Sequence, residues 1–377
     1  MRFPHFFMEE LDKLSRRMMR YKYLIYIKKG WSNTMELSAM LLDIIKNSYG
    51  TGDIVEFHRL EGGYWNDVFS LKVQNKRYVL RISHRSTKKE SIVYEHMLLH
   101  YMNKQIKEIP APIMLVDGTT FFFHEGRIIS LYPFMEGVIP EITKATRHAA
   151  AEMLAKLHMA AQRFPNKKKN PAHTSIKNLN WNHNHMWNWE KLKQQLEKHS
   201  QQLFTSHLDH PDQHGCIAKL IKMKNEIERL KGNISQWTVQ LANANPDLLF
   251  APTHGDYYRG NLLVVNDQIS AVIDWDECRP DWLSYELARA TWELCKDKKL
   301  HTLNREWAIE FVQTYKNAGG PVPANELQLL IPFIRSVRMI EILFYLDQGF
   351  QGEEWDPEYT LHNLYSLLNL ASYQELF

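Results

Sequence analysis

The chain has 377 residues, enough to bury a sizeable core and to form two lobes or domains. Its hydrophobic content of 44% and charged content of 24% are typical of a soluble globular protein, and its formal net charge of +3 is too small to favour nucleic acid as a partner. No apolar run reaches the roughly 18 residues of a membrane span, and three widely spaced cysteines without a CxxC pair favour reduced thiols in a cytoplasmic protein.

Residues 1–34 differ in composition from the rest of the chain. They contain eight Lys or Arg and three Asp or Glu, a net charge of +5. Met35 then opens a predicted amphipathic helix that Gly50 should end. Its apolar face comprises Leu37, Met40, Leu41, Ile44 and Ile45. We hypothesise that translation starts at Met35, which an intact mass including residues 1–34 would refute. The alternative is a basic extension, outside the fold, that contacts a partner.

Short alternating or β-branched stretches between residues 53 and 132 predict an antiparallel sheet and one helix, Ser86–Tyr101. The predicted strands are Asp53–Leu60, Asp67–Val73, Arg77–Ile82, Ile113–Val116, Phe121–His124 and Ile128–Tyr132. Gly62 and Gly63 lie between the first two strands. A Gly-Gly hairpin turn is the ordinary interpretation of this pair, and a close approach of the backbone to phosphate groups is the functional one.

After residue 132 the pattern becomes helical. Thr143 is a plausible cap for a helix through Gln162, whose buried face includes Leu154 and Leu157. Further helices are predicted at Glu190–Leu203, Cys216–Trp237 and Arg335–Phe350. The chain is therefore predicted to be α+β, with its strands concentrated in the first third.

The most informative stretch runs from Thr253 to Glu277 and reads T-H-G-D-Y-Y-R-G-N-L-L-V-V-N-D-Q-I-S-A-V-I-D-W-D-E. Within it, Leu262–Val265 and Ser270–Ile273 are apolar and β-branched, and the polar residues Asn266–Gln268 join them. This pattern predicts a strand, a turn and a second strand. Such a hairpin returns the end of the stretch to its beginning, so that polar residues before and after it converge.

The residues that this hairpin brings together are Asp256, Asn261 and Asp274, with His254 two positions before the first. Two carboxylates and one amide suit phosphoryl transfer, in which a protein holds Mg²⁺ on phosphates and orients an attacking hydroxyl. We expect Asp256 to accept or orient the proton of that hydroxyl. Asn261 and Asp274 are the predicted Mg²⁺ ligands, and His254 is expected to support the loop.

H-G-D-x-x-x-x-N followed by I-D-W resembles the aminoglycoside phosphotransferase-like kinases, which include aminoglycoside kinases, choline kinases and type II homoserine kinases. The resemblance implies a two-lobed, protein-kinase-like α+β fold. A small antiparallel sheet lobe would span residues 35–135, and a larger helical lobe would span residues 136–377. It also implies that ATP (or GTP) and Mg²⁺ bind the chain and that the γ-phosphoryl group passes to a hydroxyl of a small acceptor such as an aminoglycoside, homoserine or choline.

The same resemblance assigns roles to residues of the sheet lobe. Gly62 and Gly63 would belong to a loop that covers the nucleotide. Arg81 stands where kinases carry their phosphate-binding Lys, and it keeps the charge with a longer, planar group. Glu95 is the expected partner of Arg81, with Glu90 as the alternative.

Pro133–Gly137 resembles the hinge that links kinase lobes. The resemblance implies that adenine hydrogen-bonds to the backbone of this linker, so Phe134 and Met135 are predicted nucleotide-site residues.

Two other classes of function remain open. A Ser/Thr protein kinase of the same fold is one, but Gly255 replaces the catalytic-loop Arg of that class and no Ala-Pro-Glu sequence follows Asp274. A non-catalytic kinase-like protein is the other, and only Arg81 in place of Lys supports it.

Overall fold

The computed structural model describes residues 37–60, 66–165, 173–179, 181, 190–194, 197–198, 211–244, 247–297, 301–350, 357–373 and 376–377, without the side chains of 211–214 and 348–350. The basic extension, the proposed start at Met35 and the Gly62–Gly63 pair lie outside these residues. The described chain packs as two compact units. Unit 1 comprises the described residues of Met1–His173 and Pro252–Pro280, and unit 2 those of Thr174–Ala251 and Asp281–Phe377. The lobe boundary at residue 135 stays a prediction.

Unit 1 contains a five-stranded antiparallel sheet with the order β1-β2-β3-β5-β4. Its strands are β1 (Ile54–Arg59), β2 (Asp67–Val73), β3 (Lys76–Ile82), β4 (Phe122–His124) and β5 (Arg127–Pro133). Alternation in β2 explains its placement, because Phe69, Leu71 and Val73 are buried while Lys72 is exposed. The predicted small antiparallel sheet is confirmed.

One predicted strand, Ile113–Val116, is wrong. This segment is irregular and makes a single backbone hydrogen bond to the sheet, from Ile113 N–H to Leu131 O at 2.7 Å. Pro110 and Pro112 precede it, and a proline has no N–H to donate to a ladder. Ile113 and Leu115 pack against the core of the sheet, while Met114 and Val116 are exposed.

The first helix, α1 (Ala39–Tyr49), packs on one face of this sheet through Leu41 and Ile45. Ser38 caps its N-terminus by accepting from Leu41 N–H, and Gly50 ends it at φ +60°, as predicted. Met40 does not share the buried face, because it is 61% exposed.

Two longer helices complete the framework of unit 1. They are α2 (Lys89–Asn103) and α3 (Lys144–Gln162). Thr143 caps α3 as predicted, in a reciprocal capping box with Thr146. Leu154 and Leu157 lie in the core as expected.

The predicted hairpin is confirmed as β7 (Leu262–Val265) and β8 (Gln268–Val272), which follow the short strand β6 (Phe250–Thr253). Asn266 and Asp267 form its turn at φ +51° and +61°. Two consecutive positive φ angles are typical of the tight hairpin turn that matches strand twist, and Asn and Asp tolerate them. The short strand β9 (Arg279–Trp282) pairs with β6.

Unit 2 is mainly helical, with one short pair of strands, β10 (Lys296–Asp297) and β11 (Thr302–Leu303). Its helices are α4 (Pro211–Lys222), α5 (Lys224–Ala244), α6 (Leu283–Cys295), α7 (Arg305–Asn317), α8 (Ala324–Leu327), α9 (Leu330–Phe350) and α10 (Pro357–Asn369). Residues 216–237, predicted as one helix, are divided between α4 and α5. Of the predicted helix at 190–203, residues 190–194 and 197–198 are described and helical. Among the helices within the described ranges, none is both long and apolar enough to cross a membrane.

Candidate active site

His254 holds the loop between β6 and β7 together. It is 1% exposed, and its Nδ1 accepts from the Asp256 backbone N–H at 3.2 Å. Because Nδ1 accepts, the ring hydrogen lies on Nε2, which donates to Ile273 O at 2.9 Å. The ring thus joins the start of the loop to the segment after β8, and it packs against Trp275 at a centroid distance of 4.5 Å. This geometry agrees with a supporting role.

Gly255 is required by the backbone at this point. Its φ is +86°, and a Cβ atom added here would lie 2.2 Å from Glu277 O and 2.9 Å from Arg279 Nη1. No other residue type can occupy the position without moving the backbone after β8. The arginine of protein kinases therefore has no room here.

Asp256, Asn261 and the end of the hairpin converge as the sequence predicts. Asn261 Nδ2 donates to Asp256 O at 2.9 Å and to Asp256 Oδ2 at 3.1 Å. Ile273 N–H donates to Asn261 O at 2.9 Å, which brings the adjacent Asp274 back to the loop. Asn261 is buried, so its amide is fixed by the Asp256 contacts.

Negative charge accumulates around Asp274. Removal from water, followed by the charge of Asp276, raises the pKa of Asp274 to about 8. Glu95 and Asp256 act in the same direction, and Arg81 opposes them. Asp274 also adopts φ +62°, an uncommon conformation for a non-glycine residue and one that is concentrated at functional sites. Among the described residues that influence Asp274 most, Arg81 is the cation and Asp276, Glu95 and Asp256 are carboxylates, an excess of negative charge that favours binding of a further cation.

Arg81 on β3 pairs with Glu95 on α2, the partner that the resemblance implies. Arg81 Nη2 lies 2.8 Å from Glu95 Oε2, and the side chains are 9% and 3% exposed. Burial opposes the charge on Arg81, but Glu95, Tyr132 and Asp276 together outweigh burial and raise the Arg81 pKa well above its ordinary value. The Tyr132 ring lies 5.2 Å from the guanidinium carbon. Within the described part of the chain, Arg81 Nε has no hydrogen-bond partner.

The segment after β5 is tied to the β7–β8 hairpin. Val138 and Val264 exchange backbone hydrogen bonds of 3.1 and 2.9 Å. The Phe134 ring packs under the Arg77 guanidinium at 3.9 Å, and Phe134 N–H donates to Arg77 O. The backbone N–H and C=O of Met135 make no backbone hydrogen bond to any described residue. Phe134 and Met135, the predicted nucleotide-site residues of this segment, are half-buried.

Sequence reasoning missed two residues of this site. Asp276, the second acid of D-W-D, contributes charge to the group around Asp274. Asn66 ends the segment that contains the glycine pair and donates from Nδ2 to Asp276 Oδ2 at 3.2 Å. Asp276 could have been identified from the sequence, because it is a second acid only two residues after Asp274. The contact with Asn66 spans 210 residues of sequence and has no local signal.

The donor set fits Mg²⁺ shared with a nucleotide. Because Asn261 Nδ2 donates to Asp256, its Oδ1 is the side-chain atom left to bind a cation. Mg²⁺ in kinases is held by one or two such oxygens together with substrate phosphates and water. Over the described ranges, no three His, Cys, Asp or Glu side chains are grouped to hold a metal ion by themselves. A Mg²⁺ ion held by these residues would need further oxygen ligands from nucleotide phosphates and water.

Comparisons with known proteins place these observations in a family. The sequence profile of the phosphotransferase enzyme family, APH, matches residues 56–326. A homoserine kinase from Bradyrhizobium sp. (strain ORS 278) is 26% identical over 295 residues, covering 77% of this chain and 79% of that protein. Among solved structures, spectinomycin phosphotransferase APH(9)-Ia, in complex with ADP and spectinomycin, has a TM-score of 0.60 at 16% identity, over 91% of this chain and all of that one. A microcompartment-associated aminopropanol kinase has a TM-score of 0.59 at 16% identity, over 89% and 96% of the two chains. The predicted kinase-like α+β fold is confirmed.

Proposed function

The chain belongs to the phosphotransferase enzyme family, and from that premise we propose that it transfers the γ-phosphoryl group of ATP to a hydroxyl of a small acceptor molecule, with Mg²⁺ as cofactor. The observation that carries this proposal is the convergence of Asp256, Asn261 and Asp274, with the Asn261 amide donating to Asp256 at 2.9 and 3.1 Å. Phosphoryl transfer needs positioning and charge neutralisation more than covalent help from the protein. Asp256, Asn261 and Asp274 can supply both positioning and, through a bound cation, charge neutralisation.

We assign Asp256 to the acceptor. The Asn261 amide and the His254 ring fix its carboxylate and its backbone, so it can orient the acceptor hydroxyl and accept its proton. The proton leaves the hydroxyl oxygen as that oxygen bonds to phosphorus, and the nucleoside diphosphate departs from the other side.

Asn261 Oδ1 and the Asp274 carboxylate are the proposed ligands for Mg²⁺. When bound, the ion neutralises charge on the nucleotide phosphates as they react. The unbalanced carboxylates around Asp274 support this assignment, because a divalent cation relieves their mutual repulsion.

Arg81 is proposed to contact the α- and β-phosphates while Glu95 holds its side chain in place. Nε of Arg81 lacks a partner in the described residues, which supports a role in binding an anion. Gly62 and Gly63 would cover the phosphates. The backbone of Phe134 and Met135 would take the adenine edge, consistent with the unused Met135 N–H and C=O over the described ranges.

The acceptor is proposed to be a small amino alcohol. The similar homoserine and aminopropanol kinases are named for acceptors that carry both an amine and a hydroxyl group. We propose the cytoplasm as the location, from the spacing of the three cysteines. A protein substrate is disfavoured by Gly255, where the backbone of Glu277 excludes the catalytic-loop arginine.

Nucleotide consumption against a panel of acceptors tests the proposal. The panel contains homoserine, choline, ethanolamine, methylthioribose and several aminoglycosides, with ATP or GTP as donor, and the Asp256→Asn variant as control. Turnover on one acceptor that the variant loses would support a small-molecule kinase and name its substrate. Mg²⁺-dependent ATP binding without turnover on any acceptor would favour a protein substrate, and the absence of both would favour a non-catalytic protein.

A further inference from the structure

Asn66 connects two parts of unit 1 that are far apart in sequence. Its Oδ1 accepts from His84 N–H at 3.1 Å, and its Nδ2 donates to Asp276 Oδ2 at 3.2 Å. His84 follows β3, the strand of Arg81, and Asp276 follows Asp274 by two residues. One side chain therefore links the end of the Arg81 strand to the acidic segment after β8.

The direction of these two bonds is fixed by chemistry. A backbone N–H can only donate, so the Asn66 atom that faces His84 N–H is the oxygen. The amide nitrogen then faces Asp276, whose carboxylate can only accept when ionised. If the Asn66 amide were flipped, its nitrogen would face the His84 N–H and its oxygen would face the Asp276 carboxylate, and both hydrogen bonds would be lost.

Asp67, the residue next to Asn66, is fixed in place by buried hydrogen bonds and so anchors the backbone of Asn66. Asp67 is 6% exposed, and its Oδ2 lies 2.6 Å from Arg127 Nη1. Arg127 also donates to Ser83 O at 2.8 Å and to Ile82 O at 2.9 Å. These bonds join the start of β2, the end of β3 and the start of β5 at one point beside Asn66.

We infer that Asn66 is a positioning residue, which acts through Asp276 to hold the Asp274–Asp276 segment where it binds the metal–nucleotide complex. This inference rests on the proposed function. Since Asn66 donates to the Asp276 carboxylate, it can hold the acidic segment in place before the cation arrives. Groups that orient metal ligands typically change metal affinity about 10–100-fold when they are removed.

The test measures Mn²⁺ binding by electron paramagnetic resonance, with a saturating non-hydrolysable ATP analogue and with the full chain. Mn²⁺ replaces Mg²⁺ as the probe, so no acceptor and no turnover are needed. The Asn66→Ala variant is expected to bind Mn²⁺ about tenfold more weakly in the nucleotide complex. Nucleotide affinity in EDTA should remain within about twofold of the wild type.

A matched control and a double-mutant cycle separate positioning from a general structural role. Asn103, also partly buried in unit 1, donates from Nδ2 to Ile109 O at 2.6 Å, so Asn103→Ala removes a comparable bond away from the site. Its Mn²⁺ affinity should equal that of the wild type. Because Asn66 acts through Asp276, the Asn66→Ala/Asp276→Ala double variant should bind Mn²⁺ no more weakly than Asp276→Ala alone.

Several results would overturn the inference. Unchanged Mn²⁺ affinity in Asn66→Ala, or losses that multiply in the double variant, would show that Asn66 does not act through Asp276. Should Asn66→Ala fail to fold, Asn66→Ser removes the Nδ2 donor to Asp276 without adding a charge, and its Mn²⁺ affinity decides the question in the same way. If wild-type protein binds no metal–nucleotide complex, the proposed function itself fails, and the inference falls with it.

Discussion

Two groups of charged side chains, one in each unit, have opposite character. Among the described residues of unit 1, the carboxylates around Asp274 outnumber the cation Arg81, and desolvation together with Asp276 raises the pKa of Asp274 to about 8. In unit 2 burial would raise the pKa of Glu293, but Lys296 and Arg338 lower it to about 2. Lys296 Nζ lies 2.6 Å from Glu293 Oε2, and Arg338 Nη2 lies 3.3 Å from its Oε1.

The difference separates a structural group of charges from the group that we propose as functional. Glu293 is matched by cations of its own chain, so its charge stabilises the folded protein. Among the described residues, Asp274 faces more carboxylates than cations, and its φ of +62° is a backbone conformation that costs free energy in a non-glycine residue. An unmatched set of acids beside a fixed amide is what a site for a cation and a phosphate ester requires.

The largest expected effect comes from breaking the Arg81–Glu95 pair. Arg81→Met leaves Glu95 buried without its cation, and we expect a loss of about 3–5 kcal/mol in the free energy of unfolding. The Arg81→Met/Glu95→Met double variant should recover most of that stability but not nucleotide affinity. Urea unfolding and nucleotide titration measure the two quantities. If the double variant recovered both stability and nucleotide affinity, the proposed contact of Arg81 with the nucleotide would be wrong.

A smaller loss is expected from Gly255→Ala. The added Cβ atom meets Glu277 O at 2.2 Å, so the loop must shift, and we expect about 3 kcal/mol of destabilisation together with lost turnover. Gly118→Ala is the matched control, since Gly118 has φ +83° but no atom within 4 Å of an added Cβ. It should cost about 1 kcal/mol. Equal unfolding free energies for the two variants would contradict the close contact with Glu277.

Glu293→Gln tests the balanced group in unit 2. The Glu293 pKa is lowered from 4.5 to about 2, so its stabilising contribution is complete above pH 4.5 and is lost as pH falls toward 2. The variant should be less stable than wild type by about 2–3 kcal/mol at pH 7, and this difference should shrink through that interval. Urea unfolding at pH 7, 4 and 3 measures it, with the exposed Glu306→Gln as control. A difference independent of pH would refute the ionic account.

The smallest effect concerns His301 and His362, whose rings stack at a centroid distance of 3.9 Å. Burial lowers the pKa of each to about 4, aided by His362 for His301 and by Lys219 for His362. Folding thus favours the neutral rings, and stability falls as pH drops from 6.5 through 4. His362→Phe keeps an aromatic partner and should reduce that fall by about 1 kcal/mol. Parallel pH–stability curves for variant and wild type would exclude the pair as a cause.

The segment Thr253–Glu277 could be predicted from sequence because its order is local. Alternating apolar residues, two turn residues and fixed intervals between polar residues determine the hairpin, and the hairpin alone brings Asp274 back to Asn261. Strands with clear alternation, such as β2, were equally predictable.

The errors and omissions have physical causes of a different kind. Residues 113–116 are apolar enough for a strand, but the prolines before them remove donors. The first helix was predicted to begin at Met35, about one turn before Ala39, where the Ser38 cap shows that it begins. Met40, expected on its apolar face, is 61% exposed. The contact of Asn66 with Asp276 and the contact that fixes Gly255 depend on tertiary placement, which no local pattern encodes.

The role of Asp256 is tested most directly by comparing Asp256→Asn with the wild type in two assays, turnover on the accepted substrate and Mg²⁺-dependent nucleotide binding. We predict a loss of kcat on the order of 10³-fold, because the acceptor hydroxyl loses its base, while nucleotide affinity and unfolding temperature stay near those of the wild type. Asn at this position preserves size and one acceptor for the Asn261 amide. Full turnover in the variant would contradict the proposed role of Asp256 and, with it, the assignment of the site.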